Sequence, residues 1–406
     1  MKTILATTYA VNPYKGSEDG MGWNYVLQIA KNNKVIAITR ENNQNAIEKY
    51  MDEHPNVLYK NITFLYFDLP YWMRWWKKGG RGAMLYYWMW QKGVVGFVTK
   101  QNLTFDIAHN LNFHNDWTPS YLWKLGKPFV WGPVGHHPLI PAQYLSKYSI
   151  KHLLKDRFTW LVKNYFWKYS TSLRNTIKNA DFVWCMNESV PERLHLKPSQ
   201  YEIIPSVASQ DFGYLPYEHS NKFTFISVGR LVPLKGFDLT LQAFAVFYHT
   251  LSEIEKANTE LLIVGSGPEE KRLIKMAADL KISENVQFII WMERAELMKI
   301  FKQAQVFLFP SHEGAGMVVP EALSFGLPVV CLDNCGPGSF ITNRCGIKIL
   351  EDDYQCTVIN LAQAIKNLYK DKTLYANMRH EARVQFEKVF HWDRRGEQLA
   401  KIYKSL

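Results

Sequence analysis

Short runs of consecutive apolar residues recur at residues 2–8, 35–39, 105–109, 129–132, 182–186 and 202–205, and again at 223–228, 260–264, 286–290, 306–309 and 329–332. Each run has the length of a strand. Its apolar positions mostly follow one another instead of alternating, as in strands covered on both faces. Longer stretches between them, the first at 22–32, predict helices. Strand and helix signals in alternation predict parallel sheets in doubly wound α/β domains. The polar stretch 207–220, which contains proline and glycine, interrupts this pattern before it restarts. Two domains are therefore expected, at 1–206 and 207–385, followed by an amphipathic helix at 386–406. The length of 406 residues agrees, since it exceeds one ordinary core and suits two domains of roughly 200 each.

Composition is globular, at 47% hydrophobic and 21% charged. Charge divides unevenly. Residues 1–205 hold 25 Lys/Arg against 14 Asp/Glu, and residues 206–406 hold 23 of each, so the whole excess of +11 belongs to the first half. From 69 to 105 there are six Lys/Arg and no acid, with Arg74, Lys77, Lys78 and Arg81 near Trp72, Trp75 and Trp76, and with Trp88 and Trp90 beyond. Residues 138–180 add eight Lys/Arg against Asp156 alone, interleaved with Tyr148, Phe158, Trp160, Tyr165, Phe166 and Trp167. Tryptophan and tyrosine favour the lipid headgroup layer, and cations are drawn to anionic lipid. An anionic membrane surface is thus an expected partner of the first half. Two plainer readings stay open: core aromatics with a solvated basic face, and tryptophans that stack on sugars. Nucleic acid is not expected, because no RNA- or DNA-binding motif accompanies the charge.

Residues 1–10 are too short and too polar for a signal-peptide core, and no stretch approaches the roughly 18 apolar residues of a spanning helix. Cys185, Cys331, Cys335, Cys345 and Cys356 lack paired metal-site spacing and read as thiols of a cytoplasmic protein. No metal site is expected.

The chemistry concentrates in Ser311-His312-Glu313-Gly314-Ala315-Gly316-Met317-Val318-Val319-Pro320-Glu321. The preceding run 304–310 reads as a strand, which makes 311–316 the loop at its carboxyl end, where open α/β sheets bind ligands. The helix that follows presents free N–H groups toward an anion. Glu321, in its first turns, suits a diol such as a ribose. A second loop, Gly229-Arg230-Leu231-Val232-Pro233-Leu234-Lys235-Gly236, also follows a strand. There Arg230 offers a planar fork and Lys235 a mobile point charge for phosphate oxygens. Each residue also has a bland reading, as a solvated charge or a loop carboxylate.

Taken in order, these segments resemble the family-4 (group 1) retaining glycosyltransferases. The stretch from Ser311 to Val330 is similar to that family's Glu-x7-Glu signature, and Gly229 to Gly236 to its Gly-Arg…Lys-Gly turn. Val264-Gly265-Ser266-Gly267-Pro268 is similar to its Val-Gly-x-Gly-Pro loop, and Gly16 through Gly22 resembles its first glycine-rich loop. The resemblance implies the GT-B fold: two Rossmann-like doubly wound domains facing across a cleft, with the acceptor on the first and a nucleotide-sugar donor on the second. It also implies that helix 386–406 crosses back to the first domain. The implied catalytic residues are Glu313 near the anomeric centre, Lys235 and Arg230 on the diphosphate, and His109 touching a donor hydroxyl. Gly22, His114, Gly229, Gly265, Gly267, Gly316, Met317, Val318 and Glu321 are implied as substrate-binding residues.

The implied reaction is metal-independent, configuration-retaining hexosyl transfer from a nucleotide-diphosphate sugar, with no cofactor. The acceptor is expected to be a lipid-linked or cell-surface glycan at the inner face of the cytoplasmic membrane. Another GT-B activity, such as a sugar-nucleotide epimerase, and an inactive carbohydrate- or membrane-binding module are the alternatives. Three positions depart from the family pattern. His136 and His137 stand where glycines are usual, Ile290 replaces a glycine near the expected base pocket, and His312 precedes Glu313.

Overall fold

A computed structural model describes residues 1–77, 79, 82–111, 115–145, 148, 150–214, 222–290 and 292–406. The chain forms two compact units. The first comprises Met1–His136, Phe158–Ser206 and Trp392–Leu406, and the second His137–Arg157 and Val207–His391.

In the first unit, β1 (Thr3–Thr7), β2 (Lys34–Thr39), β3 (Ile62–Tyr66), β4 (Ile107–Asn110), β5 (Phe129–Val134), β6 (Phe182–Cys185) and β7 (Tyr201–Ile203) form one sheet in the order β3-β2-β1-β4-β5-β6-β7. All neighbours are parallel. The second unit repeats the plan with β8 (Phe223–Val228), β9 (Thr259–Val264), β10 (Val286–Ile289), β11 (Val306–Phe309), β12 (Val329–Leu332) and β13 (Gly346–Ile349), ordered β10-β9-β8-β11-β12-β13 and again all parallel. The central strands β4, β5, β11 and β12 are buried at every position, which the apolar runs of β11 and β12 lead one to expect, while β4 also buries His109 and Asn110. In each sheet the order reverses once, between β1 and β4 and between β8 and β11. Loops leaving those two strands diverge, which opens a crevice at their carboxyl ends.

The first core gathers Phe129, Trp131, Tyr86, Trp90 and Val183, and the second Phe225, Phe244, Phe247, Leu308 and Val330. Each large side chain buried in this way contributes about 2–3 kcal/mol. Trp392–Ser405 lies along Ser17–Ala30 in the first unit, with the Tyr25 and Trp392 rings edge-to-face at 5.3 Å. Gly396 permits that approach, since a Cβ there would sit 2.5 Å from Gln28 Oε1.

Several expectations need correction. The edge strands β3 and β13 were not predicted from the sequence. The first helix begins at Ser17, so Gly20 and Gly22 are helical and are not part of a ligand loop. His137–Arg157 groups with the second unit, not with residues 1–136, for a local reason. The Tyr144 hydroxyl bonds to Asp352 O and Thr357 Oγ1 at 2.8 Å, and Tyr148 donates to Asp238 Oδ1 at 2.5 Å. Residues 215–220 of the expected linker lie outside the described residues. No helix among the described residues is long and apolar enough to cross a membrane.

Candidate active site

Three loops of the second unit converge beside its reversal point. Gly229 ends β8 and Gly265 ends β9, and a Cβ on Gly265 would fall 1.9 Å from Gly229 O at φ +149°. Gly267 also approaches Leu231, with its Cβ position 2.4 Å from Leu231 O. Only glycine fits two backbones brought this near. The β8 loop then makes one tight turn, Pro233–Lys235, closed by Gly236 at φ +67°. That turn is tied to the third loop, which follows β11: Ser311 Oγ donates to Leu234 O at 3.1 Å and His312 N to the same oxygen at 2.9 Å.

The joined loops pair Lys235 with Glu313. Lys235 Nζ lies 2.6 Å from both Glu313 carboxylate oxygens and 5.0 Å from the centre of the Phe309 ring. Both side chains are about 15% exposed, so the pair is partly desolvated but open to a ligand. Arg230, in the same β8 loop, is exposed, and its side chain has no hydrogen-bond or ionic partner among the described residues. Gly316 holds φ +69°, and the N–H groups of Ala315, Gly316, Met317 and Val318 reach no acceptor among the described residues. Two cations in the loop after β8 and a run of open N–H donors in the loop after β11 therefore lie at the carboxyl ends of adjacent strands, groups of the kind that bind a diphosphate.

Glu321 sits in the short helix Val319–Ser324, buried, with Oε1 2.6 Å from Arg294 Nη2. Burial raises its carboxyl above the usual range, and Arg294 opposes this only in part because its own side chain is half exposed. Behind Glu313, His312 Nδ1 is 2.9 Å from Glu351 Oε1, which also accepts from Asn334 Nδ2 at 3.0 Å. Burial alone would raise the Glu351 carboxyl, but the His312 and Asn334 hydrogen bonds and the His312 charge outweigh it and bring it down. His137 Nδ1 accepts the Gly314 N–H at 3.0 Å. Sequence reasoning flagged His137 and His312 only as departures and gave Arg294, Asn334 and Glu351 no role. Nothing in spacing or pattern joins residues so far apart in the chain.

The first unit gives a different result. His109 is fully buried in β4, with Nε2 donating to Gly132 O and Nδ1 accepting from the Tyr403 hydroxyl, both at 2.7 Å. Burial pushes its imidazole down to about 4, and both nitrogens are spent within the core. The expectation that His109 touches a ligand does not fit this geometry, because its strand position points the ring inward to the carboxy-terminal helix. Gly22 is buried in the Ser17–Ala30 helix and also presents no ligand loop. His114 lies outside the described residues. His136, one of the departures from the family pattern, is a buried partner of Asp116, with Nδ1 2.6 Å from Oδ2. The five cysteines are free thiols.

Two doubly wound parallel sheets, each reversing order once, define the GT-B class of fold. The solved structure of WaaG, a glycosyltransferase involved in lipopolysaccharide biosynthesis, superposes with a TM-score of 0.64 at 17% identity, covering 98% of this chain and 99% of that one. Residues 217–385 match the family Glycosyl transferases group 1. A segment of 168 residues is 32% identical to an uncharacterized glycosyltransferase of Haemophilus influenzae, covering 40% of this chain and 44% of the relative. Another of 184 residues is 29% identical to the GDP-mannose-dependent monoacylated alpha-(1-6)-phosphatidylinositol monomannoside mannosyltransferase of Corynebacterium glutamicum, covering 43% and 45%. The chain thus spans less than half the length of these curated relatives.

Proposed function

We propose that the protein is a retaining, metal-independent glycosyltransferase that moves a hexosyl unit from a nucleotide-diphosphate sugar to a glycan acceptor. The observation that carries this reading is the Lys235–Glu313 pair, in the same two loops as Arg230 and the Ala315–Val318 amides, which have no partner among the described residues. Charge grows on the leaving diphosphate as the glycosidic bond breaks. Fixed cations and amides in a partly dry crevice stabilise it with no reorganisation at that moment. In the ligand-free protein Glu313 holds Lys235 in place. An incoming diphosphate takes over the ammonium and leaves the Glu313 carboxylate for donor-sugar hydroxyls and for positive charge at the anomeric carbon. Glu321, oriented by Arg294, accepts from the ribose diol. Gly229, Gly265 and Gly267 let the backbone close around the phosphates.

The second unit binds the donor in this reading, and the first supplies acceptor-binding surface. The acceptor is a lipid-linked or cell-surface glycan, met by a cytoplasmic enzyme peripheral to the inner membrane face. Support for that class comes from the Corynebacterium relative, whose name gives a sugar-nucleotide donor and a lipid-anchored acceptor. The test is a nucleotide-sugar panel offered with glycan acceptors in EDTA, with the anomeric configuration of the product read by NMR. Transfer with retention is expected. An inverted product, or donor turnover that yields only an epimerised sugar nucleotide, refutes the reading.

A further inference from the structure

Arg40, Arg74 and Lys77 gather at the carboxyl ends of β1, β2 and β3, wholly within the first unit. Arg40 directly follows β2, and its guanidinium lies 5.1 Å over the ring of Tyr9, two residues beyond β1. Asp68, two residues beyond β3, is buried and fixes both arginines. Its Oδ1 is 3.2 Å from Arg40 Nε, and its Oδ2 3.1 Å from Arg74 Nη1. Tyr86 supports the carboxylate, donating its hydroxyl to Asp68 Oδ1 at 2.5 Å and accepting the Leu69 N–H at 3.2 Å. The Arg40 guanidinium and the Lys77 ammonium both lie over the Tyr86 ring, at 5.4 and 5.6 Å.

Three cations thus meet two carboxylates, Asp68 and the half-exposed Glu41, whose Oε2 is 2.9 Å from Arg74 Nη2. Lys77 Nζ has no hydrogen-bond or ionic partner among the described residues, and Arg74 Nε is buried with none. Burial, and then the Arg40 charge, lower the Lys77 ammonium below its ordinary range. Like charges held this close are favoured when an anion joins them. The guanidiniums are fixed but still open to a ligand, Arg40 at 16% and Arg74 at 31% exposed.

We infer that this cluster is an anion site for the acceptor, holding the carboxylate or phosphate of a charged sugar. Fixed guanidinium forks match the paired oxygens of such a group, and strand carboxyl ends are where open α/β sheets take small ligands. Trp72 and Trp75, exposed in the same segment as Arg74, offer apolar faces to a sugar ring. Part-buried guanidiniums tied to a carboxylate favour a small anion that enters over a lipid surface that stays outside. The inference deepens the transferase reading and rests on it only for calling this sugar the acceptor.

Acetic anhydride labelling of the full chain, read at Lys77 by peptide mass spectrometry, tests it. Glucuronate and glucose 6-phosphate are the probes, with glucose and sodium chloride at matched ionic strength as controls. At least one charged sugar is expected to slow Lys77 labelling about five-fold or more, while the controls leave it unchanged. Protection by one alone identifies the group as carboxylate or as phosphate. Arg40→Gln, shown to be folded by thermal unfolding, is expected to weaken the protecting sugar about ten-fold. Absence of protection by both charged sugars, equal protection by a control, or undiminished protection in folded Arg40→Gln overturns the proposal. So does protection by phosphatidylglycerol vesicles but by neither sugar, which would assign the cluster to lipid. Nucleotide-sugar binding is measured by calorimetry on the same preparation. Its absence while Lys77 is still protected would remove the transferase reading alone.

Discussion

Lys235 Nζ is held 2.6 Å from both oxygens of Glu313, a pairing between the loop after β8 and the loop after β11. These are the two strands at which the sheet reverses order, so the ion pair spans the crevice where a ligand belongs. The pair keeps a mobile lysine in position.

Breaking the pair from the acidic side separates binding from chemistry. Glu313→Gln leaves Lys235 free for phosphate, so nucleoside diphosphate binds as well as to wild type or more tightly. Sugar transfer falls by about 100-fold, because a charged group aimed at the reacting centre is lost. Calorimetric binding and initial rates on the same preparation check this. Parallel losses in both would show that Glu313 only shapes the loop.

Glu321 couples donor binding to pH-dependent stability. Burial raises its folded-state value above 4.5, so between 4.5 and that raised value the folded chain retains a proton that the unfolded chain has lost. Stability contributed by this group is therefore present at low pH and declines as pH rises through that interval. Glu321→Gln, which carries no charge, should gain thermal stability relative to wild type as pH rises above 4.5, and should bind nucleotide more weakly. A stability difference that does not change with pH would contradict the burial argument.

His109 has the opposite sign. Its folded value of about 4 lies below the ordinary 6.5, so only the unfolded chain takes up the proton between them. Stability present above pH 6.5 is lost as pH falls toward 4, by up to about 3 kcal/mol. His109→Gln flattens that part of the stability curve and leaves nucleotide binding intact. Loss of binding instead would restore a ligand role for this residue.

Gly265 tests the close approach of the loops. A methyl there meets Gly229 O at 1.9 Å under φ +149°, so Gly265→Ala costs about 1–3 kcal/mol of stability and displaces the phosphate-facing loop. Gly96 is the control. It is exposed in the helix Ala83–Lys100 with nothing within 4 Å of an added Cβ, and Gly96→Ala gains about 0.5–1 kcal/mol. Urea unfolding measures both, and equal effects would show that the loop yields freely.

The sheets were legible because parallel strands covered on both faces leave continuous apolar runs. The two strands that were missed lie at sheet edges. In β3 no residue is fully buried, and β13 is four residues long with a glycine and a lysine among them. The loops of the candidate site were legible because they are local in sequence: Arg230 and Lys235 share the loop after β8, and Glu313 and Glu321 flank one glycine loop. Its supports were not, since Arg294, Asn334 and Glu351 reach it only through folding. His109 misled for the same reason. A strand-end histidine reads as a ligand until Tyr403, 294 residues away, takes its second nitrogen. In the aromatic half, composition could not tell Trp90, fully buried, from Trp72, which is 72% exposed.

The central claim is that protein cations in the second unit, with no metal ion, hold the diphosphate of a nucleotide-sugar. Titration calorimetry with a panel of nucleotide-sugars in EDTA, on wild type and Lys235→Ala, addresses it most directly. The account predicts binding to wild type of at least one nucleotide-sugar and a loss of about 10- to 100-fold in Lys235→Ala. Absence of binding to wild type across the panel, binding that requires a divalent cation, or undiminished affinity in Lys235→Ala would contradict it.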